Sequence, residues 1–182
     1  MQLRFRSIMT ITAFVAGSLI MIPWAVLAAT ATATVHSISA GGEGASLGTV
    51  TFDDSPGGLV ITPKLSGLPP GPHGFHIHQK GDCGPGMNEG KMAAGFAAGG
   101  HYDPEHTKKH LGPTSTGGHR GDLPVLMVDN AGNSEQAVTA PHLKVDEIRG
   151  RAIMIHAGGD NYSDTPKPLG GGGPRIACGV IR

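Results

Sequence analysis

Apolar and polar residues alternate in short runs along most of the chain. Alternation with a period of two places every second side chain on one face, which is typical of a half-buried β-strand. Turn-forming residues separate most of these runs, as in the segments 54–57 and 130–133. Eight strands are predicted: Ala33–Ser39, Gly48–Phe52, Gly58–Leu65, Gly74–His78, Asp122–Val128, Glu135–Thr139, Arg151–His156 and Arg175–Ile181.

No segment after the N-terminal region shows a convincing helical period. The pattern therefore predicts an all-β fold, either an antiparallel sandwich or a flattened barrel. Two connections, the segments 79–121 and 157–174, are too long for simple hairpins. Loops of this length are usually functional or disordered. The second ends in the glycine run 169–174, which we interpret as a flexible turn that lets the chain fold back over a surface.

Length and composition indicate one domain of ordinary size with ordered loops. The chain has 182 residues, with 30 Gly and 14 Pro, and 38% of its residues are hydrophobic. Its formal net charge of zero argues against a nucleic-acid partner, which would require a basic surface.

The N-terminal residues have the features of a secretory signal. Arg4 and Arg6 form a positive region, Ile8–Leu27 is mostly apolar, and small residues precede Ala29. These features predict a signal peptide over residues 1–28 and a mature domain over 29–182. The alternative is an uncleaved membrane anchor, since the apolar run is nearly long enough to span a bilayer. Pro23 near its end favours cleavage, after which no membrane attachment is expected.

Two histidines stand one residue apart in the predicted strand Gly74–His78. In an extended segment His76 and His78 lie on one face, and Phe75 and Ile77 on the other. Alone, this pair fits either one wall of a metal site or two surface histidines of an ordinary strand.

The long first loop adds further candidate ligands. His101, His110 and His119 follow at intervals of nine residues, and Asp122 comes three residues later. Three imidazoles and one carboxylate suit Zn²⁺. Imidazole also serves both oxidation states of copper. A second group of nitrogen donors comprises His76, His78 and His156.

These motifs together resemble the copper/zinc superoxide dismutases of the secreted bacterial type. The similarity covers nearly the whole mature chain, in the segments 74–78, 100–104, 109–113, 118–123, 150–156 and 173–181. It implies an eight-stranded antiparallel Greek-key barrel or sandwich with two long functional loops. It also implies two cofactors, a copper ion and a zinc ion.

The resemblance also implies a role for each candidate residue. The implied copper ligands are His76, His78, His101 and His156. The implied zinc ligands are His101, His110, His119 and Asp122, so that His101 bridges the two metals. Asp160 matches a carboxylate that hydrogen-bonds one ligand of each metal. Cys83 and Cys178 match an intrachain disulfide, which export would allow.

The implied activity is disproportionation of superoxide to dioxygen and hydrogen peroxide by alternating reduction and reoxidation of copper. In it, His101 leaves copper on reduction and carries a proton, and Arg175 attracts the anion at the mouth of the site. The implied location is the bacterial periplasm. The sequence allows a monomer or a homodimer.

Two other interpretations were open from the residues. The first is a copper-binding or chaperone-like module without turnover, which would usually lack a ligand or Arg175. The second is a cupin or a metallo-hydrolase. A hydrolase would need an acidic residue in place of Lys80, and a cupin would need a glutamate near Asp82 or Cys83.

The remaining histidines are expected to lie outside the site. His73 matches a structural, hydrogen-bonding histidine of the family. His36, His106 and His142 are predicted to be ordinary surface or loop residues.

Overall fold

The structure is a computed structural model that describes residues 28–182. The predicted signal peptide lies outside the described residues except for Ala28. The elements are β1 (Thr30–Ser39), β2 (Gly42–Ser55), β3 (Gly58–Leu65), β4 (Gly71–His73), β5 (Phe75–His78), β6 (Gly86–Asn88), β7 (Lys91–Ala93), β8 (Leu126–Val128), β9 (Val138–Ala140), α1 (Val145–Ile148), β10 (Ala152–His156) and β11 (Arg175–Val180).

Seven strands form one curled antiparallel sheet in the order β5-β10-β11-β1-β2-β3-β9. The pairs β4–β8 and β6–β7 form two smaller sheets. Strands far apart in sequence are neighbours at β5–β10, β11–β1 and β3–β9, and such long crossovers are typical of Greek-key folds. The predicted all-β antiparallel fold is confirmed.

The main core follows from the period-two pattern. On β1, Ala31, Ala33 and Val35 are buried, whereas Thr32 and Thr34 between them are exposed. Phe52 of β2 and Ile61 of β3 face each other in register and are fully buried in the same cluster. Burying a side chain of this size stabilises the fold by about 1.5–3 kcal/mol, so these three strands form the base of the domain.

Two predicted strands are shorter by two or more residues in the structure. The prediction Asp122–Val128 reduces to Leu126–Val128, and Glu135–Thr139 becomes Val138–Ala140. Pro124 has no N–H group for a ladder bond, and the Asp122 carboxylate takes part in a cluster of histidines. Asp122 therefore takes part in an isolated bridge to His76, and the continuous strand begins at Leu126.

The structure also corrects the expectation that the chain after residue 28 contains no helix. Val145–Ile148 is a single helical turn. The Asp54 carboxylate accepts a hydrogen bond of 2.9 Å from the Val145 N–H group, and Glu147 accepts one of 2.9 Å from the Lys144 N–H group. A turn of four residues is too short to show a period in the sequence.

The long first loop lies along the edge of β5. Hydrogen bonds join its backbone to β5 and to the residue that follows it: Tyr102 N–H donates to Ile77 O (2.8 Å), Ile77 N–H to Gly121 O (2.9 Å) and Gln79 N–H to Gly100 O (3.0 Å). The loop also contains the hairpin β6–β7 and a 3₁₀ turn at Phe96–Ala98. Residues of the loop are thus brought next to the histidines of β5.

Candidate metal centre

Four buried imidazoles converge beside the end strand of the main sheet. We call His76, His78, His101 and His156 the four-histidine group. His76 and His78 lie on β5, and His156 ends the adjacent β10. His101 reaches the group from the loop through an isolated bridge to His78. One ring nitrogen from each residue lies within 4.8 Å of the others.

The alternation predicted for β5 is present. His76 and His78 face this group, whereas Phe75 and Ile77 are fully buried in the main core. All four histidines of the group are at most 6% exposed. The sheet thereby fixes two of the four donors by strand geometry alone.

Each ring in the four-histidine group has its outward nitrogen held by a partner. The partners are Asp160 Oδ2 for His76 Nε2 at 2.7 Å, Gly99 O for His78 Nδ1 at 2.9 Å, Asp122 Oδ1 for His101 Nδ1 at 3.0 Å, and Gly173 O for His156 Nδ1 at 3.1 Å. The contacts with Asp160, Gly99 and Gly173 fix the orientation of three rings, a role that outer partners play in metal sites. Asp122 instead belongs with His101 to the second donor group.

The inward nitrogens have no partner among the described residues. They are His76 Nδ1, His78 Nε2, His101 Nε2 and His156 Nε2. A buried polar atom without a hydrogen bond is costly. Four such atoms facing one point, each on a ring fixed from outside, fit the donor set of a metal ion that prefers nitrogen.

A second cluster adjoins the first. We call His101, His110, His119 and Asp122 the mixed group. Asp122 Oδ1 lies 3.0 Å from the Nδ1 atoms of His101 and His110, and 3.3 Å from that of His119. Donor atoms around a tetrahedral ion with bonds of about 2.0–2.1 Å lie about 3.3 Å apart. The spacing therefore fits a tetrahedral ion such as Zn²⁺.

His101 belongs to both groups through different nitrogens. Its Nδ1 atom lies beside Asp122, and its Nε2 atom faces the four-histidine group. The ring of His101 stacks on that of His76 with centroids 4.0 Å apart. One imidazole therefore contributes a donor atom to each of two adjacent sites.

Asp160 joins the two groups from the second long loop. Its carboxylate accepts hydrogen bonds of 2.7 Å from His76 Nε2 and from His110 Nε2. Gly170 packs over this carboxylate, where a Cβ atom would lie only 1.9 Å from Asp160 Oδ1. The glycine run thus packs directly against Asp160. The sequence predicted a flexible turn here, and the structure adds this specific contact.

The two groups differ in their electrostatics when no metal is bound. Burial lowers the pKa of His76 and His78 well below the usual range and that of His156 to about 4. Burial acts in the same direction on His110, but the carboxylates of Asp122 and Asp160 outweigh it and raise its pKa to about 9. The four-histidine group therefore offers neutral nitrogens near pH 7. In the mixed group, His110 retains a proton that a metal would displace.

Asp122 stays ionised in the mixed group. Burial acts to raise the pKa of its carboxyl group, but contacts with His101, His110 and His119 outweigh burial and hold the pKa well below its usual range. Its Oδ2 atom also accepts longer hydrogen bonds from the backbone N–H groups of Leu111 and Gly112.

Arg175 lies at the start of β11, beside the four-histidine group. Its Nη1 atom donates to Gly95 O at 2.6 Å, and its Nη2 atom donates to Gly99 O at 2.8 Å. Gly99 O also accepts the bond from His78, so one carbonyl holds both Arg175 and a member of the group. Burial lowers the pKa of Arg175 to about 10, which leaves its side chain positive at neutral pH.

The disulfide Cys83–Cys178 is present and connects the first loop to β11. Both cysteines pack with Ala98, Ala152 and Met154 in a second, smaller core cluster. This cluster lies between the loop that supplies His101 and the strand that carries Arg175.

The histidines predicted to lie outside the site do so. His73 is buried and hydrogen-bonds to His156 O and Pro69 O, both at 2.7 Å. His36, His106 and His142 belong to neither donor group. The sequence did not predict that the carbonyls of Gly99 and Gly173 hold His78 and His156. Every residue has a backbone carbonyl, and only the fold decides which carbonyls face a histidine ring.

The antiparallel sheet and the two donor groups with a shared histidine define an all-β protein with adjacent sites for two metal ions. Residues 46–181 match the family described as copper/zinc superoxide dismutase, and the chain belongs to this family. The members of this family are enzymes that convert superoxide to dioxygen and hydrogen peroxide with copper and zinc as cofactors, and this chain is one of them.

Individual relatives agree with this assignment. The chain is 57% identical over 149 residues to superoxide dismutase (Cu-Zn) 2 of Salmonella typhimurium, covering 81% of this chain and 86% of the relative. Among solved structures, it is similar to the Cu/Zn superoxide dismutase from Brucella abortus, with a TM-score of 0.82 and 48% identity over 85% of this chain and 100% of that one. The monomeric enzyme from Salmonella enterica gives a TM-score of 0.75 and 55% identity at the same coverage.

The relatives named here are bacterial proteins. Within residues 28–182, no helix has the length and apolar character needed to cross a membrane. Lys80 and Asp82, the positions that a hydrolase or a cupin would use, are exposed and belong to neither donor group.

Proposed function

We propose that the four-histidine group binds copper and that the mixed group binds zinc, with His101 between the two ions. The four unpartnered inward nitrogens are the observation that carries this assignment. An all-nitrogen set suits copper, whereas three imidazoles and a carboxylate in tetrahedral spacing suit zinc. When bound, copper supplies a one-electron couple for superoxide, and zinc adds positive charge without a change of oxidation state.

His101 is the residue that connects proton movement to this chemistry. Its Nδ1 atom lies in the mixed group and its Nε2 atom in the four-histidine group. When His101 Nε2 is not bound to copper, it would hold a proton and donate it to the reduced product anion, after which the ring is again unprotonated. Phe75 and Ile77 keep the opposite face of β5 in the apolar core, so the histidines lie on the side of β5 that faces away from this core.

Arg175 supplies the positive charge that attracts and orients superoxide. Its guanidinium is fixed by two carbonyls, which leaves other N–H groups for a small anion. Lys108, Lys109 and Lys167 are exposed on the two long loops and extend the positive field.

Asp160 positions a ligand of each ion. Because it accepts from both His76 Nε2 and His110 Nε2, it selects the ring nitrogens that remain free for the metals. It thus connects a residue of each group through a single carboxylate.

The test is metal analysis of the purified protein combined with a superoxide consumption assay. We expect about one copper and one zinc ion per chain after reconstitution, and rapid turnover. Copper binding without turnover would contradict the proposal and would favour the chaperone-like module.

We further propose that residues 1–28 are removed on export to the periplasm and that residues 29–182 form the mature domain. The charge and apolar pattern of the N-terminal segment and the disulfide Cys83–Cys178 support this location. N-terminal sequencing of protein from a periplasmic fraction tests it, and an intact Met1 would contradict it.

The quaternary state, monomer or homodimer, stays a prediction. The Salmonella enterica relative is described as monomeric, which favours a monomer. Met87 and Met92 pair across the hairpin β6–β7 and are exposed by 63% and 53%, and a homodimer would bury such a patch. In sedimentation equilibrium, Met92→Glu should dissociate a dimer but leave a monomer unchanged.

A further inference from the structure

An aromatic ring lies against the guanidinium of Arg175. Arg175 Cζ is 4.2 Å from the centre of the Phe96 ring, a distance at which the negative face of the ring attracts a cation. We propose that Phe96 is a positioning residue that holds the guanidinium plane of Arg175 at the mouth of the metal centre. This inference rests on the role of Arg175 proposed above and adds the residue that orients it.

The geometry around Arg175 explains why a ring is needed. The two hydrogen bonds to Gly95 O and Gly99 O lie in the plane of the guanidinium and fix its position within that plane. They do not prevent the plane from tilting about the line that joins the two donors. The face of Phe96 blocks this tilt on one side, so the free N–H groups keep a constant direction.

Phe96 cannot easily move away from Arg175. It begins the 3₁₀ turn Phe96–Ala98, which Gly95 and Gly99 flank with φ angles of 65° and 76°, a left-handed conformation that favours glycine. A Cβ atom on Gly95 would lie 2.8 Å from Ile38 Cδ1. Ala98 is fully buried with the disulfide cluster, so the turn is anchored in the domain.

The ring also shields one face of the cation. Phe96 and Arg175 line a cavity of about 300 Å³, together with Asn88 and Pro174. Water excluded from the face covered by Phe96 cannot screen the charge there, which strengthens attraction to an anion. Both effects predict that Phe96 acts on anion affinity and leaves the metal sites intact.

The first experiment measures azide binding to the copper- and zinc-loaded protein by visible absorption. Phe96→Leu keeps an apolar side chain but removes the ring, and Phe96→Tyr keeps the ring. We expect the azide Kd to rise about threefold to tenfold in Phe96→Leu and to change less than about twofold in Phe96→Tyr. Met92→Leu, on the neighbouring hairpin, is the matched control and should leave the Kd unchanged.

A double-mutant cycle then tests whether Phe96 acts through Arg175. In an Arg175→Ala background, Phe96→Leu should have no further effect on azide affinity. An equal effect of Phe96→Leu in both backgrounds would overturn the inference. Unchanged azide affinity in Arg175→Ala alone would instead overturn the role proposed for Arg175, and this inference with it.

A third measurement does not depend on copper. In zinc-loaded, copper-free protein, the Arg175 Nε–Hε proton should show an upfield NMR shift caused by the ring of Phe96. The shift should persist in Phe96→Tyr and disappear in Phe96→Leu. The same resonance position in the parent protein and Phe96→Leu would contradict the stacked arrangement.

Discussion

The two donor groups of the metal centre are built in different ways. In the four-histidine group, His76, His78 and His156 lie on β5 and β10, which pair in the register Ala152↔His78 and Met154↔His76. In the mixed group, His110 and His119 lie in the irregular loop that precedes β8. The sheet sets the spacing of the first group, whereas hydrogen bonds within and between loops set that of the second.

In the mixed group, carboxylates hold the residues of the loop in place. Asp122 lies against three imidazoles, and Asp164 accepts a hydrogen bond of 2.9 Å from the His110 backbone N–H group. In the four-histidine group, backbone carbonyls orient the neutral rings of His78 and His156. Backbone geometry and carbonyls therefore position His78 and His156, whereas carboxylates hold His76 and His101 of the same group and the rings of the mixed group.

The largest effect is expected for His101→Ala, because this side chain belongs to both groups. Loss of an outer partner costs about 10–100-fold in metal affinity. Loss of a shared ligand should therefore lower superoxide turnover by more, on the order of a thousandfold, and weaken both copper and zinc. Titration with each metal and a superoxide assay measure this. His106→Ala in the same loop is the control, and full turnover in His101→Ala would refute the shared ligand.

Asp160→Asn should have the next largest effect. An amide has one acceptor oxygen, so it cannot accept from both His76 Nε2 and His110 Nε2. We expect a loss of about 10–100-fold in metal affinity, measured for zinc and copper separately by competition with a chelator. Exposed Asp146→Asn is the charge-matched control. Unchanged affinity for both metals would contradict the role of Asp160.

In the metal-free protein, the two groups should make the free energy of unfolding depend on pH in opposite ways. Between pH 6.5 and about 4, the unfolded chain binds a proton at His156 that the native state does not, so stability falls as the pH falls. The contribution of His110 is full below pH 6.5 and is lost as the pH rises towards about 9.

Together these shifts predict a maximum of metal-free stability near pH 6.5, with a loss of about 3 kcal/mol from His156 on the acid side and from His110 on the alkaline side. The lowered pKa values of His76 and His78 add to the acid loss. Urea unfolding at several pH values measures the effect. In His156→Gln the acid loss should shrink while the alkaline loss stays, and an unchanged acid limb would contradict the assignment.

Arg175→Ala should have the smallest effect, because it removes guidance of the anion but no ligand. We expect the rate constant for superoxide to fall roughly tenfold, about 1.4 kcal/mol, with unchanged copper and zinc content. Added salt should slow the parent enzyme more than the variant. Lys64→Ala on β3 is the control. A parent-like rate and salt dependence in Arg175→Ala would place the attraction on the exposed lysines.

Much of the fold could be predicted from the local alternation of apolar and polar residues. Alternation on β1 to β3 predicts which side chains enter the core, since strand geometry fixes that period. The same rule places His76 and His78 on one face. Short elements were not accessible: the turn Val145–Ile148 forms because Asp54, distant in sequence, accepts a bond from its first N–H group.

The sequence by itself predicted which imidazoles, carboxylates and cysteines the structure brings together, because these residue types are visible as letters and their pattern resembles that of a known family. Tertiary structure alone decided how they are oriented. The carbonyls of Gly99 and Gly173, the cover of Gly170 over Asp160 and the ring of Phe96 beneath Arg175 depend on packing between distant segments. Nothing in the sequence distinguishes one backbone carbonyl or apolar side chain from the many others. Only the folded chain therefore shows which of them contacts a histidine or Arg175.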